Sequence, residues 1–196
     1  IVASESPTPG GGSVSALLGA LGAALGTMVA NLSSHKKGCD DKWEFFSDWA
    51  VKGKYFYEQL LKLVDEDTNA YNTYMIALKL PKSSQQEIEI RKEAIQKSVL
   101  NAIEIPLQTM RLSYASMEVI KAMAESGNPN SVSDAGVGAI AARAAVSGAG
   151  LNVRINVPSL SDKELASQYL NEAIELENKA LEMESDILKL VRGKIN

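Results

Sequence analysis

Asp65 and Asp67, in the segment LVDEDTNAY, are the carboxylates whose surroundings set them apart. Residues two apart point about 200° away from each other on a helix, so the pair cannot share a face. Asp67 lies three residues after Val64 and four before Tyr71, on an apolar stripe, whereas Asp65 falls beside Glu66 on the solvated side. A carboxylate on a buried stripe is costly unless it has a partner or a purpose. The partner would be an arginine or a helix N-terminus. The purpose would be proton transfer, because desolvation favours the protonated acid that such a group must visit. The residues alone leave both open.

Three other segments carry polar chemistry. PTPGGGS places Gly10, Gly11, Gly12 and Ser13 at the start of a helix, where glycines admit a ligand close to free backbone N–H groups. No Gly-Lys-Ser/Thr follows and no strand precedes, which excludes the phosphate-binding loop and the dinucleotide fingerprint. The plain alternative is a flexible lead-in with Ser13 as N-cap. NVRIN sets Asn152 and Asn156 one turn apart on one face, with Arg154 on another, an arrangement suited either to reading a flat heterocycle or to an ordinary helix end. In SGNPNSVSD, Asp134 follows Ser131 by three residues, the spacing of a capping box with Asp in place of Glu. His35, Lys36 and Lys37 follow the first helix, where cations complement the helix dipole.

Positioning these residues falls to helices. Strand alternation is nearly absent, and long stretches repeat apolar residues every three or four positions. The pattern predicts a first helix from about Ser13 to Ser34 and a second from Trp43 to Leu80, stopped by Pro81. A third should run from Ser84 to Glu125, with Glu87 and Glu89 suiting its N-terminus and Pro106 kinking or splitting it. A fourth begins between Ser131 and Asp134, and the last runs from Ser161 or Asp162 to about Arg192. Leu165, Tyr169, Ala173, Leu176, Ala180, Met183, Ile187 and Leu190 form a heptad seam in that last helix, fit for a bundle neighbour or a partner helix. The expectation is an all-α helical bundle, one domain over residues 1–196.

Composition narrows the function. With 20 basic and 24 acidic side chains and a pI near 5.2, the chain lacks the basic excess of a nucleic-acid binder. His35 and Cys39 are the only residues of their types, which leaves too few ligands for a Cys/His zinc site and none for an intramolecular disulfide. Any enzyme here works with carboxylates, hydroxyls, amides, lysines, arginines and backbone groups. The uncharged stretch Val14–Leu32 is long enough to cross a membrane, yet its Gly, Ala and Ser content favours a central helix, apolar all round and buried. No secretory leader is recognisable, and a cytoplasmic location is expected.

Taken together, PTPGGGSVSALLGALGAALGTMVANLS, LVDEDTNAY, LKLPK, GNPNSVSDAGVGA and LNVRIN resemble the formiminotetrahydrofolate cyclodeaminase family, which includes free-standing methenyltetrahydrofolate cyclohydrolases. The resemblance covers residues 6–156 in motifs. It implies an all-helical domain, usually a homodimer or part of a larger ring, with no metal and no tightly bound cofactor, acting on a tetrahydrofolate derivative as substrate. It implies conversion of 5-formiminotetrahydrofolate to 5,10-methenyltetrahydrofolate and ammonia, or alternatively hydrolysis of the methenyl compound. By motif, Asp67 matches the residue proposed for catalysis, and Gly10, Gly11, Gly12, Ser13, Asn31, Asp134, Asn152 and Asn156 would bind substrate. A separate formiminotransferase would supply the formimino substrate, and Lys36, Lys37, Lys79 or Lys82 could hold the carboxylates of a polyglutamylated folate. The reading from another class is a non-enzymatic oligomerisation module, which leaves Asp67 and the glycines without a task.

Overall fold

The structure is a computed structural model describing residues 2–36 and 40–195, so Lys37 and Cys39 lie outside the described residues. Five helices account for the bundle: α1 (Gly11–Ser34), α2 (Trp43–Leu78), α3 (Gln85–Ser126), α4 (Val132–Asn156) and α5 (Lys163–Ile195). No strand occurs among the described residues. The boundaries follow local chemistry. Ser84 and Glu87 form a complete capping box at α3, and Asp162 accepts the Leu165 N–H at 3.0 Å to start α5. Helix α2 stops at Leu78, two residues short of the expected end, because Pro81 disfavours helical backbone just before it.

Three expectations need correction. Helix α1 starts at Gly11 rather than Ser13, with Gly10 as N-cap, so Ser13 sits in the first turn and caps nothing. Ser131 makes no side-chain cap to α4; it closes a 3₁₀ turn (Pro129–Ser131) that Asn128 caps by accepting the Asn130 N–H. Pro106 does not split α3, which runs unbroken through it. The carbonyl four residues upstream, that of Ala102, lacks the N–H it would normally receive. The Asn156 side chain supplies the replacement, its Nδ2 donating to Ala102 O at 2.9 Å.

Helix α1 occupies the middle and packs against α2, α3 and α4, while α5 covers α3 and α4. Its small residues make that placement possible. A Cβ on Gly22 would stand 2.8 Å from the Gly138 carbonyl oxygen and 2.9 Å from the Ala142 amide nitrogen, so α1 and α4 touch backbone to backbone. One apolar cluster joins α3, α4 and α5, and a second joins α1, α2 and α3. The heptad seam of α5 faces inward: Tyr169, Ala173, Ala180 and Ile187 are buried in the first cluster. Arginines on α3 and α4 fasten the rim of α5, Arg111 to Glu172, Arg143 to Glu184 and Arg154 to Glu177. The Arg111 guanidinium, by hydrogen bonding, holds the Glu172 carboxyl below its ordinary range.

Helix α1 is long and apolar enough to span a membrane by length and composition, but its inward side is buried among its neighbours. It is not buried all round. Leu17, Leu21, Met28 and Leu32 remain exposed on its outer side, next to Val137, Ile140, Leu151 and Ile155 of α4.

The α1–α4 contact is the tightest test of the packing. Gly22→Val should destabilise the fold by about 2 kcal/mol or more through overpacking, lowering Tm by roughly 5 °C in a thermal melt. An unchanged Tm would show that the two backbones are not in contact.

Candidate active site

The N-terminus of α1 meets the middle of α2 and the C-terminal end of α4 around a cleft of about 270 Å³. Among the described residues, Asp67 is the only charged one lining it. The carboxylate lies against the α1 backbone: a Cβ at Gly12 would fall 2.0 Å from Asp67 Oδ1 and 2.5 Å from Cγ. Only glycine leaves room for this contact. Ser13 Oγ donates to Asp67 Oδ2 at 2.8 Å and lies 3.3 Å from Thr68 Oγ1, so one carboxylate oxygen is held, and the other accepts no hydrogen bond among the described residues. Asp67 is half-buried, and no cation pairs with it among the described residues. Of the two structural partners expected for this carboxylate, no arginine pairs with it among the described residues, whereas the N-terminus of α1 lies beside it. Asp65 is exposed on the far side of α2.

The helix start supplies donors. Gly10 offers no side-chain cap, and among the described residues no acceptor meets the N–H groups of Gly11, Gly12 or Ser13. These donors and the positive end of α1 face the same region as Asp67. Gly10, Gly11 and Gly12 all line the cleft. Gly11 is less constrained than Gly12, because a Cβ there would meet Asn152 Nδ2 at 3.6 Å, an ordinary contact.

The opposite wall carries the two amides. Asn152 Nδ2 donates to Gly148 O at 2.9 Å, and Asn156 Nδ2 donates to Ala102 O at the same distance. With both NH₂ groups engaged by backbone carbonyls, each amide keeps its oxygen as the free acceptor. The pair is thus set to receive ligand N–H donors. Arg154 points away and pairs with Glu177, as the helical spacing requires.

Tyr71 and Tyr74, one and two turns beyond Asp67 on α2, complete the cleft with Val99 and Ala102 of α3. The sequence reading placed Tyr71 on the packing stripe and did not single out Tyr74, Val99 or Ala102. The signal for the tyrosines was their spacing of four and seven from Asp67, which puts all three on one face. Val99 and Ala102 carry no chemical signal of their own. Asn31 and Asp134 are not brought into this cleft. Asn31 stands nineteen residues from Gly12 along α1, about 28 Å away by helical rise, and Asp134 lies in the first turn of α4 at that same distant end. Lys36 is also there, donating to Asn128 Oδ1 at 3.2 Å.

Comparison with known proteins gives the same grouping. The family model described as formiminotransferase-cyclodeaminase matches residues 1–175. The chain is 34% identical over 195 residues to methenyltetrahydrofolate cyclohydrolase of Methylorubrum extorquens, covering all of this chain and 94% of that one. It is 36% identical over 168 residues to formimidoyltransferase-cyclodeaminase of Gallus gallus, of which it spans 31% of the length. A solved structure of formiminotetrahydrofolate cyclodeaminase from Thermotoga maritima superposes with a TM-score of 0.86 at 29% identity, covering all of this chain and 93% of that one. With the helical architecture, the glycine contact and the family model in agreement, the chain belongs to the formiminotransferase-cyclodeaminase family.

Proposed function

We propose that this protein hydrolyses the one-carbon bridge of 5,10-methenyltetrahydrofolate to give 10-formyltetrahydrofolate. The observation that carries the reading is a single carboxylate in an otherwise uncharged cleft. The bridge carbon of the substrate belongs to an amidinium-like cation, and one fixed anion beside it complements that charge. The choice of hydrolysis rests on the Methylorubrum relative, which matches nearly end to end under that name.

The chemistry requires little else. Water adds to the bridge carbon while the free oxygen of Asp67 takes one of its protons, giving a neutral carbinol. The bond from carbon to N5 then breaks. Asp67 returns its proton to N5, the hydroxyl proton leaves to solvent, and the carbonyl of the 10-formyl product forms. One proton is released overall. Ser13 holds Asp67 in place, the acceptor oxygens of Asn152 and Asn156 take N–H donors of the pterin, and Tyr71 and Tyr74 offer flat faces to the rings.

Cyclodeamination is the second reading, favoured by the Thermotoga structure. There N10 attacks the carbon of the protonated formimino group, Asp67 accepts the N10 proton and passes it to the departing nitrogen, and ammonia leaves to give the methenyl cation. Both reactions pass through a tetrahedral carbon at one position, so the same residues serve either. Following the methenyl chromophore separates them: its enzyme-accelerated loss means hydrolysis, and its formation from 5-formiminotetrahydrofolate with ammonia release means cyclodeamination.

The working form we propose is a homodimer joined through the outer faces of α1 and α4. Leu21 is 52% exposed and Ile155 74%, and exposed leucine, methionine, valine and isoleucine extend along both helices. Ile155 also lines the cleft, which puts the contact at its rim. An antiparallel pairing across this face would carry Asn31 and Asp134 of one protomer toward the cleft of the other.

Two outcomes check this. Asp67→Asn keeps size and hydrogen bonding but not proton exchange, so turnover should fall about a hundredfold or more with folate affinity little changed. Asp65→Asn should be nearly silent, and an active Asp67→Asn enzyme would remove Asp67 from the mechanism. In sedimentation equilibrium the wild type should be dimeric, and Leu21→Asp combined with Ile140→Asp should be monomeric. A wild-type monomer mass at all concentrations would refute the contact.

A further inference from the structure

The threonines of the bundle show where a helical hydroxyl ordinarily goes. Thr27, Thr73 and Thr109 each donate to the carbonyl four residues upstream, at 2.8, 2.8 and 3.2 Å. Thr68, the other threonine within a helix, makes no such bond. A helical threonine chooses between two χ1 rotamers according to whether its hydroxyl turns back to the helix. Thr68 turns away from α2 and, among the described residues, its hydroxyl meets only Ser13 Oγ of α1, at 3.3 Å.

The direction of that bond follows from counting protons. Ser13 has one hydroxyl proton and gives it to Asp67 Oδ2 at 2.8 Å. Ser13 Oγ is then the acceptor and Thr68 the donor. Thr68, Ser13 and Asp67 form a chain in which each donor polarises the next. Asp67 and Thr68 are consecutive on α2, about 100° apart, and hold the Ser13 hydroxyl between them from one helix. Ser15 shows the alternative: its hydroxyl turns back along α1 to the Gly11 carbonyl at 2.7 Å.

The carboxylate has little else to fix it. Among the described residues the Ser13 hydroxyl is its only hydrogen-bond donor, and no charged group faces it across the cleft. Helix α3 brings Val99 and Ala102 to that cleft, α4 two asparagines, and α2 itself two tyrosines. Neither Ser13 nor Thr68 is among the residues that line it. Both stand behind the carboxylate, where they act on its orientation and not on the ligand.

We propose that Thr68 is a positioning residue for the acid: by donating to Ser13 Oγ it keeps that hydroxyl turned toward Asp67 Oδ2, and so sets the direction of the carboxylate. The inference rests on Asp67 being the proton carrier of the proposed reaction, and it adds the residue that aims it.

The test compares Thr68→Val and Thr68→Ser by kcat, KM and Tm, on whichever of 5,10-methenyl- and 5-formiminotetrahydrofolate the wild type turns over. Thr68→Val keeps the shape and removes the proton, so kcat should fall about fivefold or more, the scale of one neutral hydrogen bond, with KM and Tm little changed. Thr68→Ser keeps the hydroxyl and should keep kcat near the wild-type value. Ser13→Ala should lower kcat further than Thr68→Val does, and adding Thr68→Val to it should cost nothing more, because the chain is already cut. Should Thr68→Val also lower Tm, this cycle still decides, since a purely structural loss would multiply with that of Ser13→Ala. Wild-type kcat in Thr68→Val, an equal loss in Thr68→Ser, or multiplying losses in the double variant overturn the positioning role and leave Asp67 in place. Full turnover by Asp67→Asn, or a wild type inert toward both compounds, overturns the reading of the site and this inference with it.

Discussion

The contact between the Asp67 carboxylate and the bare Cα of Gly12 is the constraint around which the rest is arranged. Because a Cβ there would fall 2.0 Å from Asp67 Oδ1, the carboxylate can approach the first turn of α1 this closely only where that turn is glycine. That approach brings three unused N–H groups beside the acid and lets Ser13 hold one of its oxygens. Farther along, α1 is kept slim because α2, α3 and α4 all pack on it. The small residues of α1 thus serve two contacts, the backbone approach to α4 at Gly22 and Gly138 and the seat of the acid at Gly12.

A second constraint links a fold defect to the site. Pro106 deprives the Ala102 carbonyl of its helical donor, and Asn156 fills the gap from α4. Its amide is thereby fixed with NH₂ toward protein and oxygen toward the cleft. Asn152 is oriented by the same device, using the Gly148 carbonyl within its own helix. Two amides that could have rotated freely are set before any ligand arrives, which lowers the ordering cost of binding.

Much of this was legible in the sequence, for identifiable reasons. Periodicities of three and four located the five helices, and the seam from Leu165 to Leu190 gave the face of α5 that packs inward. Asp67 stood out because a carboxylate on an apolar stripe breaks the pattern, and the paired asparagines stood out by their one-turn spacing. What sequence could not supply were relations across helices. Nothing local says that Pro106 is repaired by a residue fifty positions later, so a kink or a split in α3 was the natural expectation. Ser131 and Asp134 had the right spacing for a cap, but a 3₁₀ turn capped by Asn128 occupies that corner instead. Val99 and Ala102 reach the cleft only because α3 passes beneath it. Asn31, matched by motif, lies at the far end of α1, outside this cleft.

The central claim is that the missing side chain at position 12 fixes the position of the acid that moves the proton. The direct measurement is the turnover of Gly12→Ala, read beside its helical content and a crystal structure. The added methyl should swing the Asp67 carboxylate away from Ser13 Oγ while the bundle stays folded, because only the end of one flexible side chain has to move. Turnover should then drop by about a hundredfold or more, the scale of a mispositioned acid–base group. A folded Gly12→Ala protein with wild-type turnover would contradict the account, since Asp67 could not then depend on that contact for its chemistry.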